Sequence, residues 1–573
     1  MINDIKNKLA RSLAEATGLE ESKLTNLLKE PKNNSFGDLA FPCFEIGKKE
    51  QKSPPEAAKD VAAKINLPEE VTEARLAGPF INFLFNRKTF AKSVVDKTIA
   101  KTPVLYIEPK TFVIDYSSPN IAKPFHVGHL RTTLIGNSLV RVLKHLGHEV
   151  ISVNHLGDWG TQFGFVWAGC NIWGKPTEPT VAALVELYRQ STSLRDRQEK
   201  NELESGDENY PDVNEIARQY FLDLEAGKKD ATEFWQWCLD ISLKYLKETY
   251  SRLGIEFDHF TGESFYSDKL DDVKKDLDEK NLLVESQGAF GVELEEELGF
   301  ARILTPDGRS LYLARDIAAV DYRAKEFNFD EVLYVVGSPQ ALHFQQLIRV
   351  LEKLEKDYAS NVKHIGFGHV SGMKTRGPGG AIELNEFFDE AFDRALTAYR
   401  EQVSKRPEGL DENIVADAVS LSAVMFSTLS RTRLKDVQFS WEHALEFQGD
   451  SGPYLLYALA RIHGMKEKAL AAGIELKTEV SGEHLQEDSA FELLMSIAGF
   501  GDALEKVVKD YEPAHLATYA VDLAKSFSKA YLDLKVVGAD KEVAEERLAL
   551  FEATRVILQN SIELLGIKTL ERM

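Results

Sequence analysis

Thr111-Phe112-Val113-Ile114-Asp115-Tyr116-Ser117-Ser118-Pro119-Asn120-Ile121-Ala122-Lys123-Pro124-Phe125-His126-Val127-Gly128-His129 opens on an apolar strand, passes through a polar turn and enters a helical pattern over 130–146. Strand, turn and helix in that order form the repeating unit of a parallel, doubly wound sheet. Further short apolar runs, Val150-Ile151-Ser152-Val153 and those at 331–336 and 363–370, continue the rhythm. The fold class expected is therefore α/β, with a Rossmann-like parallel sheet. In such sheets ligands sit at the carboxyl ends of the strands, which here points to Asp115 and the turn after it.

Outward from this core the texture changes twice. Residues 1–108 carry helical patterns, a loop at 32–38 and the strand-like run Gly78-Pro79-Phe80-Ile81-Asn82-Phe83, which predicts a small N-terminal α+β domain. The sheet domain is expected over 109–400, interrupted at about 168–300 by a highly charged, mixed or all-helical insertion whose charge runs read as solvated faces. Over 401–573 apolar residues recur at helical spacing: Ile414, Ala418, Leu421, Met425 and Leu429; Leu516, Leu523, Phe527 and Leu534; Phe551, Leu558, Ile562 and Leu565. That predicts a C-terminal helix bundle.

Composition narrows the function. The chain has 573 residues, 43% of them hydrophobic, and a net charge of −22. No run of about 18 apolar residues occurs, so no membrane span is expected. The first helix carries Asp4 and Glu15 and has no leader-like apolar stretch, which predicts a cytoplasmic protein. Cys43, Cys170 and Cys238 are too far apart for a zinc knuckle or a disulfide framework. The acidic balance means that any nucleic acid must meet local basic patches, such as Arg431-Thr432-Arg433-Leu434-Lys435.

Three stretches carry chemistry. His126 and His129, three apart at a helix start, can donate to phosphate oxygens; Gly128 leaves room for a base or ribose, and the helix N-terminus attracts anions. Alone, the two histidines read equally well as a buried helix cap. A cap needs one such residue, however, and Ser117, Asn120 and Lys123 crowd the same turn. The second stretch, His369 to Gly380, is rich in glycine and holds Met373, Lys374 and Arg376, two cations suited to charge on a leaving pyrophosphate. Its plain reading is a flexible basic loop. The third joins Tyr312-Leu313-Ala314-Arg315-Asp316 to Gln340 and His343. Asp316, expected at the end of a strand-like segment, is by itself an ordinary turn residue; facing Asp115 it would make an anionic pocket for a cationic side chain.

Taken together, the turn 117–131, the run Asn154-His155-Leu156-Gly157-Asp158-Trp159-Gly160-Thr161-Gln162-Phe163-Gly164, the Tyr312 to Asp316 segment and the C-terminal 547–573 resemble the class I aminoacyl-tRNA synthetases, specifically the arginyl-tRNA synthetase family. The resemblance spans nearly the whole chain. It implies an arginine pocket of Asp115, Ser117, Asn120, His126, Tyr312, Asp316 and Gln340, and an ATP site of His126, Gly128, His129, Met373 and Lys374. Among these, His126, His129, Lys123, Lys374 and Arg376 would serve catalysis. Residues 373–377 stand where relatives have KMSKS, but the second lysine is absent, and Lys123 is the substitute that the resemblance implies.

The resemblance further implies ATP with Mg²⁺ as co-substrate, no tightly bound cofactor, no structural zinc, tRNA(Arg) and L-arginine as partners, tRNA binding before activation, and a monomer. Phe80 and Asn82 would meet the tRNA elbow; Tyr457, Arg461, Tyr531 and Met573 would line the anticodon site, although for Tyr457, in Tyr454-Leu455-Leu456-Tyr457, the sequence by itself favours helix packing. Two other readings compete with this one. A cysteinyl enzyme would need a metal or thiol-selective site, and a non-catalytic RNA-binding relative would be expected to have a broken first motif.

Overall fold

The computed structural model describes residues 2–31, 36–100, 108–123, 125–286, 288–306, 308–371, 383–401 and 409–573. At the N-terminus, β1 (Leu39–Pro42), β2 (Val71–Ala77) and β3 (Phe80–Phe85) form an antiparallel sheet in the order β1-β3-β2. Its inner face packs Leu39, Phe41, Ile81 and Phe83 against Leu9 and Leu13 of the Ile2–Thr17 helix, all fully buried or nearly so. Helix starts are written locally: Ser53 and Glu56 form a reciprocal capping box ahead of Pro54, and the Asn86 side chain accepts from Thr89 N.

The central sheet contains β4 (Thr111–Asp115), β5 (Glu149–Asn154), β6 (His259–Phe260), β10 (Glu331–Tyr334) and β11 (Val362–His364), all parallel, in the order β11-β10-β4-β5-β6. The chain winds outward from β4 in one direction through β5 to β6, then returns to the other side of β4 for β10 and β11. The strand order therefore reverses between β4 and β10, and a crevice opens there at the carboxyl ends. A small antiparallel sheet, β7 (Val284–Ser286), β8 (Ala289–Glu293) and β9 (Phe300–Leu304), lies between β6 and β10 in the chain.

Two sequence expectations change here. The central sheet does not stop for the whole of 168–300, because β6 lies inside that stretch; two residues are too few to show a strand period. Nor is 363–370 one strand. It divides into β11 and β12 (Val370–Ser371), and β12 leaves the sheet to pair in parallel with β13 (Val437–Gln438).

The C-terminal bundle buries Leu516, Leu523, Phe527, Phe551, Leu558, Ile562 and Leu565 as the spacing requires. Ile414 is exposed, since it lies in the first turn of the Glu412–Leu429 helix, beyond the packed stripe. The bundle grips the back of the helix that follows the first motif. Ser138 Oγ donates to Leu564 O at 3.0 Å, and Gly566, at φ +83°, lies so near Asn137 that a Cβ would stand 2.7 Å from its Nδ2. Among the described residues no helix is long and apolar enough to cross a membrane.

Candidate active site

β4 and β10 run side by side with Asp115 opposite Tyr334, so the carboxyl end of each strand opens onto the strand-order reversal. Beyond Asp115 the backbone turns sharply. Ser117, Ser118 and Ala122 all have left-handed φ, at 74°, 47° and 57°. Non-glycine residues occupy that region only when surrounding contacts impose it. The contacts are explicit: Ser117 N donates to Thr132 Oγ1 (3.1 Å), Thr133 Oγ1 to Ser117 Oγ (2.8 Å), Ala122 N to Ser242 Oγ (3.2 Å) and Ile121 N to Gly157 O (3.1 Å). Gly157 leaves room for Asn120, whose Oδ1 would lie 2.2 Å from a Cβ there.

The Lys229–Arg252 helix, drawn from the charged insertion, holds the turn from the other side. Tyr250 Oη lies 2.7 Å from Ser117 Oγ and accepts from Asn154 Nδ2 at 2.9 Å. This gives part of the insertion a defined task. It also uses up the Ser117 hydroxyl, which is buried and internally bonded.

His126 caps the Val127–His145 helix. Its Nδ1 accepts from Gly128 N at 3.0 Å, while His129 Nδ1 accepts from His126 N at 3.3 Å; the rings lie 4.0 Å apart and His129 stacks on Phe125. The cap reading and the donor reading are thus compatible. An imidazole that accepts through Nδ1 carries its proton on Nε2, so the cap fixes both rings as Nε2–H donors. Burial lowers His126, and burial with His126 alongside pushes His129 down to about 3, so both are neutral at pH 7. Gly128 also serves the cap. A Cβ there would meet the His126 ring at 2.7 Å, so the missing side chain accommodates the cap itself. Lys123 is exposed beside the turn.

Asp316 is the fifth residue of the Tyr312–Phe327 helix, not a strand end; Leu313, Ala314, Ile317 and Ala318 bury the helical stripe that the short sequence window concealed. Its Oδ2 lies 2.6 Å from His343 Nε2, and that hydrogen bond raises His343 above its ordinary value against the effect of burial. Asp115 is not an open carboxylate. Its Oδ2 accepts from Arg323 Nη2 at 2.7 Å and its Oδ1 from Ser118 Oγ at 2.9 Å. Arg323 is fully buried, its guanidinium 5.1 Å from the Tyr334 ring centre, with no hydrogen-bond partner for Nε and Nη1 among the described residues. Glu263 adds a third carboxyl nearby: burial lifts it to about 7, opposed by Arg315 and reinforced by Asp158 and Asp316.

Sequence reasoning missed Arg323, Glu263 and Tyr250. Arg323 had a signal, since it follows Asp316 by seven residues, two helical turns, and so shares its face. Tyr312, 73% exposed, starts the helix that carries Asp316, and Gln340, also exposed, precedes His343 by three residues. Met373, Lys374 and Arg376 lie outside the described residues, as does Pro124. On either side of 372–382 the chain is tied down: β12 pairs β13, and Leu384 N donates to Phe125 O at 2.9 Å, beside His126.

At the N-terminal domain, Phe80 is exposed with Phe44 edge-on at 5.7 Å, whereas Asn82 is buried. In the bundle Tyr457 is 47% exposed and not a packing residue, Arg461 stacks 3.9 Å over Tyr531, and Met573 is partly buried. The basic run is not wholly free, because Arg433 turns its Nη1 to Gly366 O at 2.6 Å.

Residues 95–441 match the model for tRNA synthetases class I (R), catalytic domain; 3–85 match the arginyl tRNA synthetase N terminal domain, and 455–573 the DALR anticodon binding domain. Among relatives, the arginine–tRNA ligases of Alkaliphilus metalliredigens and Clostridioides difficile are each 36% identical over 581 aligned residues, covering 100% of both chains. Among solved structures, the Plasmodium falciparum arginyl-tRNA synthetase superposes with TM-score 0.82 at 24% identity, over 100% of this chain and 98% of that one. The Thermus thermophilus arginyl-tRNA synthetase gives 0.81 at 23%, over 99% and 100%. At those identities the two structures speak to the fold.

Proposed function

This chain belongs to the arginyl-tRNA synthetase family of class I and joins arginine to tRNA with the use of ATP; from that premise we propose how its own residues do so. The arginine carboxylate attacks the ATP α-phosphorus in line, pyrophosphate leaves, and a terminal hydroxyl of tRNA(Arg) then attacks the mixed anhydride and releases AMP. No side chain forms a covalent bond. Positioning and electrostatics lower the barrier.

The observation that carries this assignment is the strained turn at the strand-order reversal, with His126 and His129 fixed as neutral Nε2–H donors at a helix N-terminus. Neutral donors bind phosphate oxygens by hydrogen bonding, so the positive charge for pyrophosphate departure comes from elsewhere: Lys123 beside the turn, with Lys374 and Arg376 as the other candidates, and Mg²⁺ brought in on ATP. Asp316, now hydrogen-bonded to His343, meets the substrate guanidinium. Asp115 retains lone pairs to join it, and Asn120, Tyr312 and Gln340 complete the pocket. Phe80 offers a stacking face to the tRNA elbow and Tyr457 one to the anticodon, since aromatic faces suit unpaired bases. The same reading has no structural zinc and a monomer working in the cytoplasm.

Aminoacylation assayed with all twenty amino acids and unfractionated tRNA tests this reading. Arginine alone should be charged, and pyrophosphate exchange should require tRNA. Charging of another amino acid would overturn the pocket, and rapid exchange without tRNA would overturn the order of binding.

A further inference from the structure

Arg131, two residues beyond His129, is 1% exposed, and its guanidinium ends on backbone carbonyls: Nη1 donates to Gly368 O at 2.7 Å and to His369 O at 3.4 Å, Nη2 to Thr432 O at 3.3 Å. Those carbonyls belong to two separate segments, the one leading into β12 and the basic run before β13. A fork of fixed donors spans both, which a single ammonium does not.

Gly368 is the meeting point. Its N donates to Arg433 O at 2.8 Å and its O takes Arg131, while a Cβ on it would meet Asp436 Oδ1 at 2.6 Å and the Lys435 carbonyl carbon at 2.9 Å. Asp436 Oδ1 also accepts from His369 N at 2.7 Å, next to the β12–β13 pairing. On the far side Arg433 N donates to Glu512 Oε2 at 2.8 Å, and Glu512 lies between the Phe500–Asp510 and Ala514–Asp533 helices of the bundle.

We propose that Arg131, Gly368 and Asp436 are positioning residues for adenylation: they set β12 against the first turns of the Val127–His145 helix and, through Arg433 and Glu512, tie both to the helical bundle. This rests on reading that turn as the ATP site. None of the three touches the reacting atoms. Their effect is on where the strand leaves the sheet relative to the two histidines, and a displacement of the order of an ångström there is felt in turnover.

The test uses the full chain with tRNA, measuring pyrophosphate exchange with separate kcat and KM for ATP and arginine, and the melting temperature of each variant. Asp436 is exposed, so Asp436→Ala removes the acceptor of His369 N without opening the core. It should lower kcat about tenfold, the worth of one hydrogen bond to a charged group. Arginine KM and the melting temperature should not move. Asp436→Asn, which keeps Oδ1, should restore the rate, and Gly368→Ala should reproduce the loss. Wild-type kcat in Asp436→Ala, failure of Asn to rescue, or a loss that follows a fall in melting temperature would each overturn the proposal. His129→Ala is run alongside: normal exchange in that variant would remove the ATP-site reading itself, whereas its loss combined with an unaffected Asp436→Ala would remove only the joint.

Discussion

Asp115 Oδ2 and Arg323 Nη2 stand 2.7 Å apart with both side chains under 5% exposed, which places a complete ion pair beneath the pocket proposed for the guanidinium substrate. The enzyme thus keeps an internal guanidinium on the carboxylate at the end of β4. Net negative charge facing the crevice falls mainly to Asp316. Tyr334, opposite Asp115 in register, covers the guanidinium with its ring and keeps it dry.

Removing one partner of that pair leaves a buried charge without compensation. Arg323→Met should destabilise the chain by about 3–5 kcal/mol. Urea unfolding measures it, and a change below about 1 kcal/mol, the range of an exposed pair, would show that the pair is dispensable to the fold. The Asp115→Asn, Arg323→Met double variant should cost less than the sum of the two single changes, because it removes both charges.

Asp316→Asn should lower kcat/KM for arginine roughly 30-fold or more, since loss of one partner of a desolvated charge pair costs on the order of 2–5 kcal/mol. The KM for ATP should stay put. A loss under about threefold, less than 1 kcal/mol, would take Asp316 out of the pocket.

The His343–Asp316 hydrogen bond makes arginine binding depend on pH. A raised histidine holds its proton above 6.5, so the pair's contribution to stability is full below 6.5 and fades as pH rises through the raised value. Losing that proton frees Asp316 from a competing cation, so KM for arginine should fall as pH rises above 6.5. In His343→Gln the slope should flatten to the part contributed by Glu263, whose nearby carboxyl burial lifts to about 7. His126 and His129, both lowered, should add no further limb there, and an unchanged slope in the glutamine variant would assign it to another group.

Gly128→Ala puts a methyl group 2.7 Å from the His126 ring. The ring must move, the cap opens and the Nε2 donor is misaimed, so kcat for activation should drop about tenfold, the effect of one weakened charge-assisted contact. Alanine is a better helix former than glycine, so circular dichroism should show helix content undiminished. Full activity in this variant would mean that the cap does not aim His126.

Sequence alone determined the order of layers and the place of the crevice. Hydrophobic period and turn chemistry are local properties, and they located β4, β5 and β10, the turn after Asp115 and the buried faces of the bundle, apart from exposed Ile414. Family likeness then supplied, one by one, the residues proposed for the pocket. The partners of those residues were beyond the reach of local pattern. Asp115 meets Arg323 208 residues along the chain, Ser117 meets Tyr250, and Arg131 meets Thr432; each contact exists only once the chain has closed. Tertiary structure alone decided that Gly128 makes room for a histidine, that the cap fixes the tautomers, and that the carboxylate ending β4 is already paired. The physical reason is that a charge or a proton is assigned by everything packed within a few ångströms of it, and that neighbourhood is set by folding, not by sequence adjacency.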